Sequence, residues 1–210
     1  MGQPAWAAGD QASWNDFSEV YLPAADSGAL AIRIAAAVPL STRSRLQQLR
    51  PGRHSGGRLS WGWLKEFADG GLGSRTAWFW EPYSDDPGGS SGLCTVNLTW
   101  MEEEVGAALR DSGVGVMVHA IGDRTVDQVA EVLARAARGV PGAPRLRVEH
   151  VQHISGPRAA QRLAEAGATA VINPLHLLSD RPMLQGRLGR ARAGPGRAYA
   201  WGELQRQERF

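Results

Sequence analysis

The sequence contains a single lysine, Lys65, although it has 23 basic residues in total. All remaining positive charge is arginine, which a codon bias towards arginine would produce. Arginine cannot replace lysine where an amine has to lose its proton or form a covalent bond, because the guanidinium group stays charged. Lys65 is therefore either a chance survivor of that bias, or a residue required as a Schiff base, a general base or a carboxylated, metal-bridging lysine.

Cysteine and long apolar segments are also scarce. Cys94 is the only cysteine, which excludes an internal disulfide. No apolar run approaches the ~20 residues that span a membrane, so we expect no membrane partner. The first residues lack the charged and apolar regions of a signal peptide. By default, we expect a cytoplasmic location.

Charge of either sign is present in nearly equal amounts. The 210 residues are 43% hydrophobic and 21% charged, with a formal net charge of +2, which is typical of a globular protein. The arginines between residues 181 and 197 could suggest a nucleic-acid surface. Glycine and proline separate these charges and few aromatic residues lie among them, so a solvated face is the favoured interpretation and we expect no nucleic-acid partner.

Strand-like and helix-like segments alternate along the chain. Helices are predicted from Ser13 to about Ala25, over 42–49, from capping boxes at Thr99 and Thr125, and from Ser155 to Ala166. Strands are predicted at 29–38, 59–68, 113–119, 146–152 and 169–173. This order predicts an α/β fold with a parallel sheet and right-handed crossovers. The glycine-rich segment 69–98 is predicted to be a long, lid-like loop.

Several chemically capable residues lie near the ends of the predicted strands. Lys65 and Asp69 lie near the end of one strand, His119 ends the next, and His150 and His176 follow at later strand ends. Parallel α/β sheets bind ligands at this edge, and neutral imidazoles bind Zn²⁺, Mn²⁺ or Fe²⁺. A single histidine at a strand end is more often structural, but two on adjacent strands beside the only lysine favour a metal site.

Asp69 and Arg75 have two interpretations each. In the predicted loop they could orient a substrate, or they could be a turn-forming aspartate and a surface arginine. His153, three residues after His150, fits a supporting or loop role better than a ligand role.

Four ordered sequence blocks resemble the amidohydrolase superfamily, in the branch called amidohydrolase family three. Residues 65–77 are similar to its K-x-F-x-D-G-S-L-G-S-R-T-A block, and 81–87 continue it as E-P-Y-x-D-x-P. Residues 119–123 match H-A-I-G-D, and 147–152 match R-x-E-H-x-Q. Asn173 to His176 with Asp180 is similar to Q-P-x-H…D, with Asn in place of Gln.

This resemblance implies a partial TIM (β/α)₈ barrel, about strands three to seven with their helices, spanning residues 1–204 before a divergent tail at 205–210. It implies one or two divalent metal ions, with zinc expected, held by a carboxylated Lys65 with His119 and His150. Asp69, Arg75 and His176 are expected to bind a small, amide-like substrate. The implied activity is hydrolysis of a non-peptide carbon–nitrogen bond.

Two features of the family pattern are missing from this sequence. The family brings a His-x-His pair on its first strand and an Asp in a G-S-D-x-P block on its eighth, and neither occurs here. We therefore expect an internal fragment of such an enzyme. The alternative is a non-catalytic remnant or an interaction module without activity of its own.

Overall fold

Short apolar runs alternate with amphipathic segments along the chain and become strands and helices in turn. The computed structural model describes residues 13–111, 113–140, 142 and 145–206. The strands are β1 (Ile34–Pro39), β2 (Gly52–Arg53), β3 (Leu59–Phe67), β4 (Gly115–Ala120), β5 (Leu146–His150) and β6 (Ala168–Val171). The helices are α1 (Leu22–Asp26), α2 (Arg43–Leu49), α3 (Leu98–Arg110), α4 (Asp123–Ala136), α5 (Pro157–Glu165), α6 (Leu175–Arg192) and α7 (Trp201–Gln205). A π-helical segment, Asp16–Tyr21, precedes α1, and a 3-10 turn, Leu40–Thr42, precedes α2.

The strands form one sheet in the order β1-β3-β4-β5-β6, in which all neighbours are parallel. The short β2 pairs antiparallel with β3. Within the described part of the chain, β1 and β6 remain edges, so the sheet is open. The predicted α/β class with a parallel sheet is confirmed, and each of the five predicted strands overlaps an observed one.

The two faces of the sheet differ because successive side chains of a strand point to opposite sides. The helix face carries Leu64, Val116, Val118, Leu146 and Val148, which join one core with residues of α3, α4 and α5. The inner face carries Lys65, Phe67, Met117, His119, Arg147 and Glu149, which lie in two neighbouring rows of the sheet register. All of these inner-face residues except His119 are only half-buried.

Three of the four predicted helix caps are wrong. Ser13 does cap its helical segment, because its hydroxyl accepts the amide of Asp16 at 3.0 Å. At α3 the cap is Asn97 rather than Thr99, since the Asn97 side chain accepts the amides of Thr99 and Trp100. Helix α4 begins after Gly122, and α5 begins after Gly156. The hydroxyls of Thr125 and Ser155 instead bind Asp69 and Asp127. The Thr125 and Ser155 hydroxyls thus bond to carboxylates that sequence spacing alone does not reveal.

Helix α6 occupies much of the arginine-rich segment, where no helix was predicted. Two of its arginines bind the loop that joins β3 to α3, residues 68–97, here called the β3–α3 loop. Arg192 is 7% exposed, and its guanidinium donates to the carbonyl oxygens of Glu81 and Pro82. Arg187 pairs with Asp85 and donates to the carbonyl of Gly73. These two arginines are therefore fastening groups rather than parts of a solvated face.

The predicted domain limits fall near the ends of the described chain. Helix α7 ends at Gln205, so it crosses the expected boundary between residues 204 and 205. The remainder of the predicted tail, 207–210, lies outside the described residues, as do residues 1–12.

Candidate metal centre

Lys65 lies on the inner face of β3, one row of the sheet below His119. Lys65 pairs with Met117, while Phe67 pairs with His119 and His119 with Glu149. Paired residues of neighbouring parallel strands point to the same side, so Lys65 and His119 share the inner face. The Lys65 amine lies 4.9 Å from the centre of the Phe67 ring, and that ring centre lies 5.1 Å from the centre of the His119 ring. The long lysine side chain thus rises along its strand towards the level of His119.

His150 reaches the same side of the sheet through an unusual backbone conformation. Its neighbour in β4 is Ala120, so simple alternation would place its side chain on the helix face. However, His150 has a φ angle of 78° and Val151 one of 42°, in the left-handed region that non-glycine residues seldom occupy. The His150 ring centre lies 4.6 Å from that of His119. The local turn therefore brings two imidazoles together.

His176 completes a line of three imidazoles. It lies in the first turn of α6, and its ring stacks on that of His150 with centres 5.1 Å apart and planes inclined by 23°. Helix α6 follows β6, so His176 also lies at the carboxyl edge of the sheet. The structure thus brings four of the predicted residues, Lys65, His119, His150 and His176, to one region.

Burial lowers the pKa values of the basic groups in this region. The pKa of His119 falls to about 4, mainly by burial, although its hydrogen bond to Gly70 opposes this. The pKa of His150 falls to about 3 by burial and by the neighbouring His119, His176 and Lys65. Burial also lowers the pKa of Lys65 to about 8, with the nearby Glu149 acting in the opposite direction. Both imidazoles are therefore neutral at pH 7, which is the form that binds metals.

The hydrogen bonding of His119 selects one of its two ring nitrogens as a ligand. Its Nε2 atom lies 3.2 Å from the carbonyl oxygen of Gly70. A carbonyl only accepts, so Nε2 carries the proton and Nδ1 keeps a free lone pair. Histidines that bind metals usually donate their second N–H to such an acceptor. This contact therefore orients the ring with Nδ1 available.

Asp69 lies under the β3–α3 loop with its oxygens occupied by protein groups. The 2% exposed carboxylate accepts the amides of Trp78 at 2.9 Å, Ile121 at 3.0 Å and Gly122 at 2.8 Å, and the Thr125 hydroxyl at 2.7 Å. Burial raises its pKa to about 6, against the effect of these hydrogen bonds. One of its oxygens also lies 3.5 Å from Nε2 of His119. Asp69 therefore connects the loop, the start of α4 and His119.

The loop approaches α4 so closely that only glycine fits at the contact. A Cβ atom added to Gly122 would lie 2.0 Å from the carbonyl oxygen of Trp78. Any larger residue would force the two segments apart. The H-A-I-G-D block thus owes its glycine to this contact.

Arg75 has a different partner from the histidines. Its guanidinium forms two hydrogen bonds of 3.1 Å with the carboxylate of Asp85, which is the group that Arg187 of α6 also binds. The Arg75 side chain is 40% exposed. The structure thus places Arg75 in an ion-pair cluster between the β3–α3 loop and α6.

The donor set fits a divalent metal only if Lys65 takes part. Among the described residues, no group of three or more His, Cys, Asp and Glu side chains is placed to hold a metal ion. His119 and His150 supply two neutral imidazoles, and a carboxylated Lys65 would supply the oxygen ligand that the unmodified amine lacks. Two imidazoles and a carboxylate form a ligand set typical of zinc.

Sequence reasoning gave no site role to three residues beside the histidines: Gln152, Asp180 and Tyr199. Gln152 and Asp180 belong to the quoted sequence blocks, which was a usable signal. Tyr199 follows the arginine-rich segment, and no pattern in the sequence distinguishes it. The side chains of these residues form one hydrogen-bonded cluster.

No helix in the described part of the chain combines the length and the apolar character that crossing a membrane requires.

Comparison with solved structures identifies the barrel to which the open sheet corresponds. An uncharacterized metal-dependent hydrolase from Pyrococcus furiosus matches with a TM-score of 0.75 and 27% identity, covering 93% of this chain and 39% of that one. A second, from Pyrococcus horikoshii OT3, matches with a TM-score of 0.75 and 26% identity, over 93% of this chain and 38% of that one. The predicted partial TIM barrel is confirmed.

Sequence comparison gives the same relationship. The chain is 37% identical to Protein LONG AFTER FAR-RED 3 of Arabidopsis thaliana, over 88% of this chain and 32% of that protein. It is 31% identical to the Putative amidohydrolase YtcJ of Bacillus subtilis (strain 168), over 89% of this chain and 34% of that protein. The chain thus spans about a third of the length of these relatives. The amidohydrolase family profile matches residues 2–208, and the chain belongs to the amidohydrolase family.

Proposed function

We propose that this chain carries part of the metal centre of a hydrolase that acts on non-peptide carbon–nitrogen bonds of small, amide-like molecules. The observation that supports this most directly is the gathering of Lys65, His119 and His150 at the carboxyl edge of a parallel sheet. The proposal concerns the complete enzyme, because the chain corresponds to about a third of its relatives.

Lys65 is proposed to act as a carboxylated metal ligand. An uncharged amine adds to CO₂, forming an N–C bond and releasing a proton, and the product is a carbamate with two oxygen donors. The lowered pKa of Lys65, about 8, increases the share of uncharged amine at neutral pH. Arginine could not undergo this reaction, because its guanidinium stays protonated. This role would explain why the only lysine of the chain lies here.

The histidines and the loop residues have separate proposed roles. His119 through Nδ1, and His150, would hold one or two divalent ions, with zinc expected. When bound, such an ion supplies a Lewis acid that polarises a carbonyl group and lowers the pKa of water. His176, stacked on His150, would contact the substrate with its free ring edge. Asp69, although proposed as a substrate-binding residue, would act mainly by orienting His119 and closing the loop, and Arg75 would act by holding the loop against α6.

A series of substitutions at Lys65 tests the metal centre. In the complete protein, we expect bound zinc, measured by elemental analysis, to decrease in the order wild type, Lys65→Glu, Lys65→Arg. Glutamate offers a carboxylate on a shorter side chain, whereas arginine places a fixed cation beside the ions. Lys65→Ala should regain some hydrolysis of an N-acyl substrate when a short-chain carboxylic acid is added.

A surface variant serves as the control for this series. Arg135 lies on the outer side of α4, where its guanidinium binds Glu102. The variant Arg135→Lys should therefore leave the zinc content unchanged. Full zinc occupancy and rate in Lys65→Arg would show that Lys65 is a chance survivor of arginine bias. The roles of His119 and His150 would survive that result.

A second candidate function is a non-catalytic remnant or interaction module. The absence, among the described residues, of any cluster of three or more His, Cys, Asp and Glu ligands favours it for the chain by itself. With at most three protein ligands, we expect the purified 210-residue chain to bind Zn²⁺ weakly and to hydrolyse N-acyl substrates negligibly. Turnover that a chelator abolishes would contradict this candidate.

The proposed partner is a small molecule rather than a nucleic acid. Among the arginines between residues 181 and 197, Arg187, Arg192 and Arg197 are engaged by protein groups. Arg187 pairs with Asp85, and Arg197 donates to the Ile154 carbonyl and pairs with Asp123. These contacts support the absence of a nucleic-acid role.

A further inference from the structure

We propose that Tyr199 is a positioning residue, which fixes the ring of His176 against His150 by anchoring the first turns of α6 through Asp180 and Gln152. This inference rests on the proposed function, in which His176 contacts the substrate beside the metal ligands. It adds a residue that lies outside every sequence block of the family resemblance.

The hydroxyl of Tyr199 forms one corner of a closed triangle of hydrogen bonds. It donates to the Asp180 carboxylate and accepts from the Gln152 amide at 2.7 Å, while the same amide donates to Asp180 at 3.1 Å. Gln152 follows β5, Asp180 lies in α6, and Tyr199 lies between α6 and α7. Three separate segments thus meet at one hydroxyl group.

The triangle acts on His176 through the geometry of the helix. Asp180 follows His176 by four residues, so the two side chains lie on the same face of α6 about one turn apart. The Tyr199 hydroxyl also lies 3.5 Å from the carbonyl oxygen of His176. Holding Asp180 therefore fixes both the rotation and the depth of the turn that carries His176. The partner ring, His150, lies two residues before Gln152, so the same triangle ties both rings to one frame.

Tyr199 is held in its place at the expense of backbone strain. Its φ angle is 50°, in the left-handed region that non-glycine residues seldom occupy. Its amide binds the carbonyl of Gln152 at 2.5 Å, and its ring contacts His153 and Trp201 with centres 5.5 Å and 5.3 Å apart. Such strain persists where the surroundings determine the conformation, and it concentrates at functional sites. His150 and Val151, also at positive φ, directly precede Gln152 of the same triangle.

The hydroxyl is suited to a permanent donor role. Burial and the adjacent Asp180 both raise the pKa of Tyr199 above its usual value. The group therefore keeps its proton throughout the neutral range and continues to donate to Asp180.

Histidine NMR of the 210-residue chain tests this proposal without any need for activity. In a chain labelled with ¹³C at histidine, each ring Cε1–H signal is assigned by its loss in a His→Gln variant. Stacking on His150 should displace the His176 signal from its position in the urea-unfolded chain. We expect Tyr199→Phe, which removes only the hydroxyl, to abolish most of that displacement and to leave the His54 and His119 signals in place.

Tyr83→Phe is the matched control. Tyr83 is a buried tyrosine whose hydroxyl donates to the Ala77 carbonyl at 2.8 Å, within the β3–α3 loop. The Tyr83→Phe variant therefore loses a comparable hydrogen bond elsewhere in the chain, and the His176 signal of this variant should not move. An unchanged His176 signal in Tyr199→Phe would overturn the proposal, as would an equal shift in both variants.

Asp180→Asn provides an independent arm if Tyr199→Phe fails to fold. Asparagine keeps an acceptor for the tyrosine hydroxyl but loses the charge, so the His176 signal should move part of the way. No movement in a folded Asp180→Asn chain would also overturn the proposal. Because all of these signals are read without metal or substrate, failure of the positioning role is distinguishable from failure of the proposed hydrolase function.

Discussion

The helix face and the inner face of this sheet are made from the same strands but from opposite kinds of residue. Leu64, Val116 and Val118 on the helix face are completely buried. On the inner face, Lys65, Met117 and other residues stay half-buried, and of the six that define this face only His119 is 9% exposed or less. The helix face is sealed by helices of this chain, whereas the inner face of a barrel is sealed by other strands.

This difference separates stability from chemistry within one sheet. Apolar burial stabilises in proportion to the area removed from water, so the helix face dominates folding. The inner face instead concentrates charged and titratable groups whose burial is costly. Substitutions on the two faces should therefore differ in what they change. The first two predictions test this difference and the third tests a buried titratable group beyond the end of β5, in order from the largest effect to the smallest.

The first prediction compares neighbouring positions on opposite faces. Leu64→Ala should lower the free energy of unfolding by about 3 kcal/mol, because it opens a cavity in a fully packed core. Met117→Ala, which removes a half-buried inner-face side chain, should cost less than half as much. Urea unfolding followed by circular dichroism measures both. Equal losses would mean that the inner face is as well packed as the helix face, and the comparison would fail.

The second prediction concerns the carboxylate that joins the inner face to the loop. Asp69→Ala should lower the free energy of unfolding by about 2 to 3 kcal/mol, because it leaves the buried amides of Ile121 and Gly122 without an acceptor. Asp85→Ala removes a carboxylate from the exposed ion-pair cluster of the same loop, and its effect should be clearly smaller. The same urea experiment applies. If both variants lost the same stability, Asp69 would be no more than another loop carboxylate.

The third prediction uses pH to detect a buried histidine that lies apart from the metal ligands. Neither ring nitrogen of His153 has a hydrogen-bond partner in the structure, and burial lowers its pKa from 6.5 to about 3. Below pH 6.5, His153 binds a proton in the unfolded chain but stays uncharged in the folded chain. The stability that the uncharged His153 contributes is therefore fully present above pH 6.5. As the pH falls, the free energy of unfolding decreases on account of this histidine, by about 2 kcal/mol at pH 5.

His153→Phe should remove this part of the acid destabilisation. Between pH 7 and pH 5 the variant should lose about 2 kcal/mol less than the wild type. The lowered pKa values of His119 and His150, and the opposing raised pKa of Asp69, are present in both proteins and cancel in the difference. Thermal unfolding of both proteins at several pH values measures this difference. If stability fell with pH equally in the wild type and in His153→Phe, the lowered pKa of His153 would be refuted.

Much of the fold was predictable because its signals are local. Apolar runs of strand length and the order of strands and helices gave all five parallel strands, and the sequence blocks gave the family. The helix caps were less predictable, since Thr125 and Ser155 have the right chemistry but bind Asp69 and Asp127, residues far away in the sequence. Helix α6 was missed because Pro182 and two glycines, Gly186 and Gly189, interrupt its pattern, and Gly189 has non-helical angles.

The sequence by itself determined which residues reach the carboxyl edge of the sheet. Lys65 and His119 follow from strand alternation, which is a property of neighbouring residues. Only the tertiary structure decided how the remaining groups are used. It turned His150 towards His119 through a left-handed backbone, enclosed Asp69 among amides of the loop and α4, and joined Tyr199 to Asp180 and Gln152. These arrangements depend on contacts between distant segments, and packing, rather than local pattern, selects the partner of each polar group.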